Sequence, residues 1–583
     1  AEQRIQQWQV AMTFRDDLYT AVSAYAATDD AAALTGVRAR LLTFVQRDLR
    51  RAGHELDAAS RDEMRQLSDR LVEIGVAFQR NLAEHEDPLV VTREDLVGLP
   101  DSYIEGLADG PEDGTHLVTL SYPDAIPFLD RAQRRDLRQE LDRRFNTRAE
   151  EANRPLLAEA VQLRARIAAL LGQPSWAHHR LEERMARHPD AVQEFYDGLV
   201  PPLTDAARGE LAVMQGLLAQ DLGAEAGDDA GAGDAVVQRW DWRYYHAQIQ
   251  RDQHGIDNDE VAAHFPLEQV LDGLFALTGD VFGLDHVPVE PVTWHQDVRS
   301  FEVHDRASGE MLATVHMDLF PREGTYGHAA AFTLTPGRRL ADGSYQRPVS
   351  AIVANFTRPT ADRPSLLQHG EVETLFHEYG HILHQVLTRA ELVRFSGTSV
   401  ERDFVEAPSQ IMQHWTWDPA VLGTFARHHD TGEPIPEDLV GSLVAARNLN
   451  VALQTLRQVH FGVLDLRLHG PDATDLDLDE VTREVTELTL LPHAPDTFFP
   501  GTFAHILGGY DAGYYGYLWA EVIGDDMFRR FAEEGPTSPE VGADYRREIL
   551  EPGGSRDADE LVRSFLGRQP DNNAFLHKLG ISP

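Results

Sequence analysis

His377, Glu378 and His381 form His-Glu-x-x-His within Glu371-Val-Glu-Thr-Leu-Phe-His-Glu-Tyr-Gly-His-Ile-Leu-His-Gln-Val386. On a helix, residues four apart lie one above the other, so both imidazoles can face a single cation. Glu378 is one step round from His377, near enough to take a proton from a metal-activated water without itself ligating. Two neutral nitrogens beside a free carboxylate suit zinc and hydrolysis. A catalytic zinc takes three protein ligands and keeps one position open. Downstream, Glu401, Asp403 and Glu406 could each supply the third, and spacing alone leaves the choice open. Asp403 could instead hydrogen-bond a ligating histidine. His384 reads as a core histidine with its hydrogen bonds satisfied.

The elements that must carry these residues follow from periodicity. Leu375, Phe376, Tyr379, Ile382, Leu383 and Val386 give the metal helix an apolar surface to bury. Gly380 costs such a helix about 1 kcal/mol against alanine, which implies a close packing contact. Upstream, Phe301–His304 and Met311–Met317 flank a turn-rich Asp305–Gly309 and read as a hairpin, with further strands at Ala329–Leu334 and Ala351–Ala354. A small sheet therefore precedes the metal helix. It could capture an extended peptide at its edge or only brace the helix. Before it, apolar residues recur at helical spacing over Ile5–Tyr25, Leu34–Leu49, Met64–Leu82, Leu137–Phe145, Leu156–Leu171 and Val192–Leu218. Gly223–Asp234 is too small and polar to pack and reads as a flexible loop. The expected division is an N-terminal helical region, 1–135, and a catalytic region, 136–583. The latter comprises a helical lobe (136–286), the sheet (287–355), and the metal site with a substrate loop (356–583).

Composition narrows the function classes. The chain carries 95 acidic against 53 basic residues, a formal charge of -42, and Lys578 is its single lysine. Such a surface repels phosphate backbones and anionic lipids, so neither nucleic acid nor membrane is an expected partner. No run reaches the roughly 18 apolar residues of a membrane-spanning helix. There is no cysteine, which rules out disulfides and thiol chemistry and fits a reducing cytoplasm. Ala1-Glu2-Gln3-Arg4 shows no apolar stretch of the signal-peptide kind.

The sequence resembles the thimet oligopeptidase and neurolysin family of zinc metallopeptidases. Phe376-His-Glu-Tyr-Gly-His381 resembles the family's metal helix, and Ser396–Gln410, with Asp403-Phe-Val-Glu-Ala-Pro-Ser-Gln410, the segment whose glutamate completes the site. His505-Ile-Leu-Gly-Gly-Tyr-Asp-Ala-Gly-Tyr-Tyr-Gly-Tyr-Leu-Trp519 resembles its substrate loop. Ile549–Ser555 and Phe565–Pro570 are closer to the thimet branch than to the dipeptidyl carboxypeptidase branch. Departures from the family pattern occur at Tyr379, where phenylalanine is common, at Gln413-His414, at Gly513, and at Tyr326, where lysine is frequent. The chain also starts later than the family usually does.

The resemblance implies a mostly α, two-lobed helical metallopeptidase with a deep central channel and a small β-sheet beside the His-Glu-x-x-His helix. It implies one Zn2+ ion held by His377, His381 and Glu406, with Glu378 as general base. It places His505 and Tyr517 at the oxyanion, and Tyr510 and Tyr514 against substrate, while Tyr515 and Trp519 read as core. The loop's glycines would let it close over a bound peptide. The expected protein is a cytoplasmic, monomeric oligopeptidase that cleaves short unstructured peptides internally. A dipeptidyl carboxypeptidase on the same scaffold is the nearest alternative, and a catalytically silent peptide-binding homologue a more distant one.

Overall fold

Several helix starts in this chain are set by short polar side chains. The Asp57 carboxylate accepts from the N–H groups of Ala59 and Ser60 at 2.9 and 3.0 Å and begins the helix Ala58–Ala83. The computed structural model describes residues 2–223, 236–322, 329–360, 362–494 and 496–581. Of the expected loop Gly223–Asp234, all but Gly223 lies outside these, as does Tyr326. The chain is mostly helical with small sheets, and it divides into two compact units.

The first unit comprises Ala1–Leu34, Leu42–Gln253 and Leu449–Tyr515. The apolar stretch Ile5–Tyr25 forms two helices, Glu2–Thr13 and Asp16–Ala26, separated by extended backbone at Arg15. Asp16 and Asp17 lie in the first turn of the second, where negative charge meets the helix's positive end. Longer helices follow at Glu150–Leu170, Pro189–Asp221 and Val451–Leu468. A three-stranded antiparallel sheet, not expected from the sequence, comprises β1 (Leu89–Thr92), β2 (Ala108–Asp109) and β3 (Thr115–Val118), in the order β1-β3-β2. Its strands are too short for alternation to stand out. Val91 and Val118 nonetheless enter a core with Leu96, Phe128 and Leu141.

The second unit comprises Thr35–Leu41, His254–Asn448 and Gly516–Pro583. Its larger sheet contains β4 (Leu284–Val289), β5 (Arg299–Asp305), β6 (Met311–Asp318), β7 (Ala330–Thr335) and, after a small hairpin of β8 (Arg338–Arg339) and β9 (Tyr345–Gln346), β10 (Val349–Val353). The order is β4-β5-β6-β10-β7. Only the β6–β10 pair is parallel, so β7 closes one edge antiparallel to β10. Strand β4 escapes a sequence reading because Pro288 interrupts it, and it occupies the other edge, where a proline is tolerated. The β5–β6 hairpin turns where the Asp305 carboxylate accepts from the N–H and hydroxyl of Ser308 and Gly309 takes φ +71°. Val303, Ala313, Val315 and Ile352 are completely buried. The helix His369–Val386 packs on this sheet, and its Leu375, Phe376 and Ile382 are buried.

Candidate metal and catalytic site

The helix His369–Val386 begins with a reciprocal cap, in which the Gln368 N–H donates to Glu371 Oε2 at 2.8 Å. Tyr379 is fully buried in it. Its hydroxyl pairs with Nε2 of His286 on β4, whose ring stacks on Phe275 at 4.2 Å. The phenol therefore keeps a polar partner inside the core, which explains why tyrosine fits where phenylalanine is common.

Gly380 lets a second helix approach. A Cβ there would lie 2.6 Å from the Pro408 carbonyl oxygen and 2.6 Å from Ser409 Cα, both on the helix Ala407–Gln413. The close packing implied by the glycine is thus backbone against backbone. Glu406 sits at the N-cap of that second helix and is carried over the histidines. Its Oε2 lies 3.3 Å from His377 Nε2 and 3.1 Å from His381 Nε2. The imidazole centroids are 5.1 Å apart at 86°. One ligand atom from each of the three residues falls within 4.8 Å of the others, a grouping that could hold a metal ion. Two imidazole nitrogens and one carboxylate oxygen are a donor set zinc accepts, so these residues fit one such ion.

Electrostatics support the grouping. Burial opposes ionisation of Glu406, but the two imidazoles outweigh it and hold the carboxyl well below its usual range. The Ser409 hydroxyl, 2.7 Å from the Glu406 carbonyl oxygen and 3.1 Å from its Oε2, steadies the side chain. Glu378 is shifted the other way. It is 8% exposed, and burial, reinforced by the charge of Glu406, raises its carboxyl above the ordinary value. His377 and the N–H of Ala331 on β7 pull against that rise. Two glutamates in one site thus have opposite proton affinities, one suited to ligation and one to proton transfer.

Neither rival acid belongs to this grouping. Glu401 accepts from the Ala558 N–H at 3.2 Å, at the start of the helix Ala558–Leu566. Asp403 is 2% exposed and its backbone lies against Gly516, where an added Cβ would come within 3.2 Å of Asp403 Cα. His384 departs from expectation. It is fully buried, neither ring nitrogen has a hydrogen-bond partner among the described residues, and burial lowers its pKa to about 3. His414 joins a buried network, with Nε2 2.7 Å from Asp525, which meets Lys578 Nζ at 2.6 Å.

The expected substrate loop crosses the boundary between the units, which falls between Tyr515 and Gly516. In the first unit, the exposed ring of His505 lies 5.5 Å from that of Tyr510 and 5.2 Å from that of Tyr514. The Tyr514 hydroxyl donates to Gln458 Oε1 at 3.0 Å, and burial pushes its pKa up to about 12. Tyr515 is buried in the core, as expected. The Asp465 carboxylate accepts from the N–H groups of Ala512, Gly513 and Tyr514 at 2.8, 2.8 and 2.9 Å. The stretch Ala512–Tyr514 is therefore pinned, and Gly509 takes φ +91°. In the second unit, Tyr517 opens the helix Gly516–Glu534, and its carbonyl accepts from Gln410 Nε2 at 3.2 Å, tying it to the helix that carries Glu406.

Sequence reasoning assigned no role to Ser409, Asp465 or the Ala331 N–H. An acid inside the apolar run Val463-Leu-Asp-Leu466 was the one available signal for Asp465. Nothing local marks the other two.

Comparison with known proteins gives a consistent picture. A family model described as Peptidase family M3 matches residues 128–581. The chain is similar to thimet-like oligopeptidase of Dictyostelium discoideum, with 32% identity over 590 residues, covering 100% of this chain and 88% of that protein. It is also similar to dipeptidyl carboxypeptidase of Escherichia coli (strain K12), with 31% identity covering 97% and 84% of the two chains. Among solved structures, an M32 carboxypeptidase from Deinococcus radiodurans R1 aligns with a TM-score of 0.53 and 13% identity, covering 98% of this chain and 90% of that one. At that identity the likeness concerns the fold alone.

Proposed function

The chain belongs to peptidase family M3, and on that footing we propose that it is a zinc-dependent oligopeptidase hydrolysing internal bonds of short, unstructured peptides. The observation that carries this reading is the meeting of His377, His381 and Glu406 within 4.8 Å, next to a buried Glu378 of raised proton affinity. When bound there, zinc supplies a Lewis acid that polarises the scissile carbonyl and acidifies water.

The chain's own groups do the rest. His377, His381 and Glu406 hold the ion, and Ser409 keeps Glu406 aimed. Glu378 takes the proton of the attacking water on its carboxylate and hands it to the leaving amine. A carboxyl with a raised pKa accepts and releases that proton more nearly at neutral pH. Strand β7 is a sheet edge next to Glu378, and its outer backbone groups suit pairing with an extended substrate. Tyr517 and His505 would donate to the oxyanion, and Tyr510 and Tyr514 would contact the peptide. This follows the family resemblance together with the neutrality of tyrosine hydroxyls at pH 7. The same reading carries a monomer working in the cytoplasm on peptides, not on nucleic acid or lipid, in keeping with the charge of -42.

A second reading, a dipeptidyl carboxypeptidase, is favoured by the 31% identity to the Escherichia coli enzyme of that name. Mass spectrometry of products from a mixed peptide library, with and without chelator and with C-terminally amidated members, separates the two. Internal cleavage that survives amidation and stops with chelator supports the oligopeptidase. Release of C-terminal dipeptides from free acids only supports the second reading, and chelator-resistant cleavage refutes both. A silent peptide-binding homologue would leave the library intact.

A further inference from the structure

In an acid-rich chain, one cavity of the first unit is lined by no aspartate or glutamate. It spans about 760 Å³ when the space continuous with solvent is counted. Arg457, on the helix Val451–Leu468, lines it. The guanidinium lies over the Phe461 ring at 4.6 Å and stays accessible. No described residue accepts a hydrogen bond from it, whereas Arg239 on the same wall is matched by Asp142 at 2.7 Å. The protein packed around Arg457 lowers its pKa, Arg243 and Arg239 act in the same direction, and Tyr514 and Tyr122 oppose them. An accessible guanidinium with no hydrogen-bond acceptor among the described residues is open to a charge-assisted pairing with a ligand's anion.

The rest of the lining describes the ligand. Phe461 and Phe499 stack at 4.9 Å, and Trp242 and Leu491 add apolar surface, so the site suits an organic anion better than a bare phosphate. The hydroxyls of Thr482, Thr486 and Thr489 already donate to backbone carbonyls, and Arg457 is the charged donor on the lining without a carboxylate partner among the described residues. Phe461 also meets the Tyr514 ring edge-on at 5.4 Å, so the cavity adjoins the loop expected to touch substrate.

We propose that this cavity is a carboxylate subsite, in which Arg457 pairs with an acidic side chain or free C-terminus of a peptide whose apolar portion lies on Phe461, Phe499 and Trp242. This rests on the peptidase reading, but the test keeps the two separable. The full chain and its Arg457→Gln and Arg457→Lys variants are given paired peptides, free acid against C-terminal amide and internal Glu against internal Gln. No described residue accepts a hydrogen bond from Arg457, so its replacement leaves no described acceptor orphaned and removes only the contact over Phe461. The ratio of kcat/KM within each pair is measured, and Kd for the same pairs is measured in the Glu378→Gln background. The wild type should favour the carboxylate member of at least one pair about tenfold, through KM and Kd, as one charge-assisted pairing allows. Arg457→Gln should abolish that preference and Arg457→Lys keep part of it. The pair that discriminates identifies which carboxylate is bound. Equal treatment of both pairs by the wild type, or an undiminished preference in Arg457→Gln, overturns the subsite. So does Arg457-dependent binding of inorganic phosphate with no discrimination between peptides. An Arg457-dependent binding preference without any hydrolysis would uphold the subsite and overturn the peptidase reading.

Discussion

Replacing Gly380 by alanine probes the contact that assembles the site. The new Cβ would lie 2.6 Å from the Pro408 carbonyl oxygen and 2.6 Å from Ser409 Cα, whereas comfortable contact needs about 3.5 Å. Both obstacles are backbone atoms, so no rotamer change relieves the clash, and the helix Ala407–Gln413 must retreat by about 1 Å. Overpacking of this kind costs about 1–3 kcal/mol, while alanine regains about 1 kcal/mol of helix propensity. Net stability should therefore fall by no more than about 2 kcal/mol. The consequence for the site is larger. Glu406 moves with the retreating helix while His377 and His381 remain on the other, which opens the present 3.1 and 3.3 Å separations. Misplacement by about 1 Å can cost on the order of a hundredfold in rate. Zinc affinity, measured by competition with a chromophoric chelator, should drop at least tenfold, and kcat/KM on a quenched peptide by about a hundredfold. Urea unfolding of the metal-free protein reports the stability. A folded Gly380→Ala protein with wild-type zinc affinity would refute the claim that helix separation controls the ligand set.

Further substitutions test the remaining assignments. Glu378→Gln should bind zinc normally yet lose about 10²–10⁴ in kcat, so substantial turnover in a metal-loaded sample excludes it as the base. Ser409→Ala removes the hydroxyl beside Glu406 and should weaken zinc about tenfold with little change in unfolding midpoint; an unchanged zinc Kd counts against that support. Asp465→Ala frees the N–H groups of residues 512–514 and should lower kcat/KM about tenfold while sparing zinc affinity, and an unaltered rate would show the pinning to be dispensable. Lys578→Met leaves the buried Asp525 with His414 as its remaining partner and should cost about 3–5 kcal/mol. Burial favours the neutral form of Asp525, but Lys578 and His414 hold its pKa below the ordinary value. Its contribution is thus complete above the unfolded carboxyl pKa and lost as pH falls through the folded one. Removing the lysine raises the folded value, so acid unfolding should begin at higher pH, and an unmoved pH profile of the urea midpoint would contradict this.

The sequence alone determined whatever depends on spacing within one element. His377 and His381 had to share a helix face because 3.6 residues make a turn, and the long helices Gly36–Arg51, Ala58–Ala83, Glu150–Leu170 and Pro189–Asp221 and most strands of the larger sheet followed from apolar periodicity. The tertiary structure decided what depends on two stretches meeting. It brought Glu406, and neither Glu401 nor Asp403, into one grouping with the imidazoles, since the crossing helix at Gly380 carries Glu406 there and Glu401 lies at the start of Ala558–Leu566. It showed the ring nitrogens of His384 without a hydrogen-bond partner among the described residues, Asp465 bonded to the loop backbone, and Arg457 lining a cavity with no acid among its described residues. Periodicity records which side of a helix is buried, but not which neighbour buries it. That neighbour comes from a distant part of the chain, and only packing brings it there.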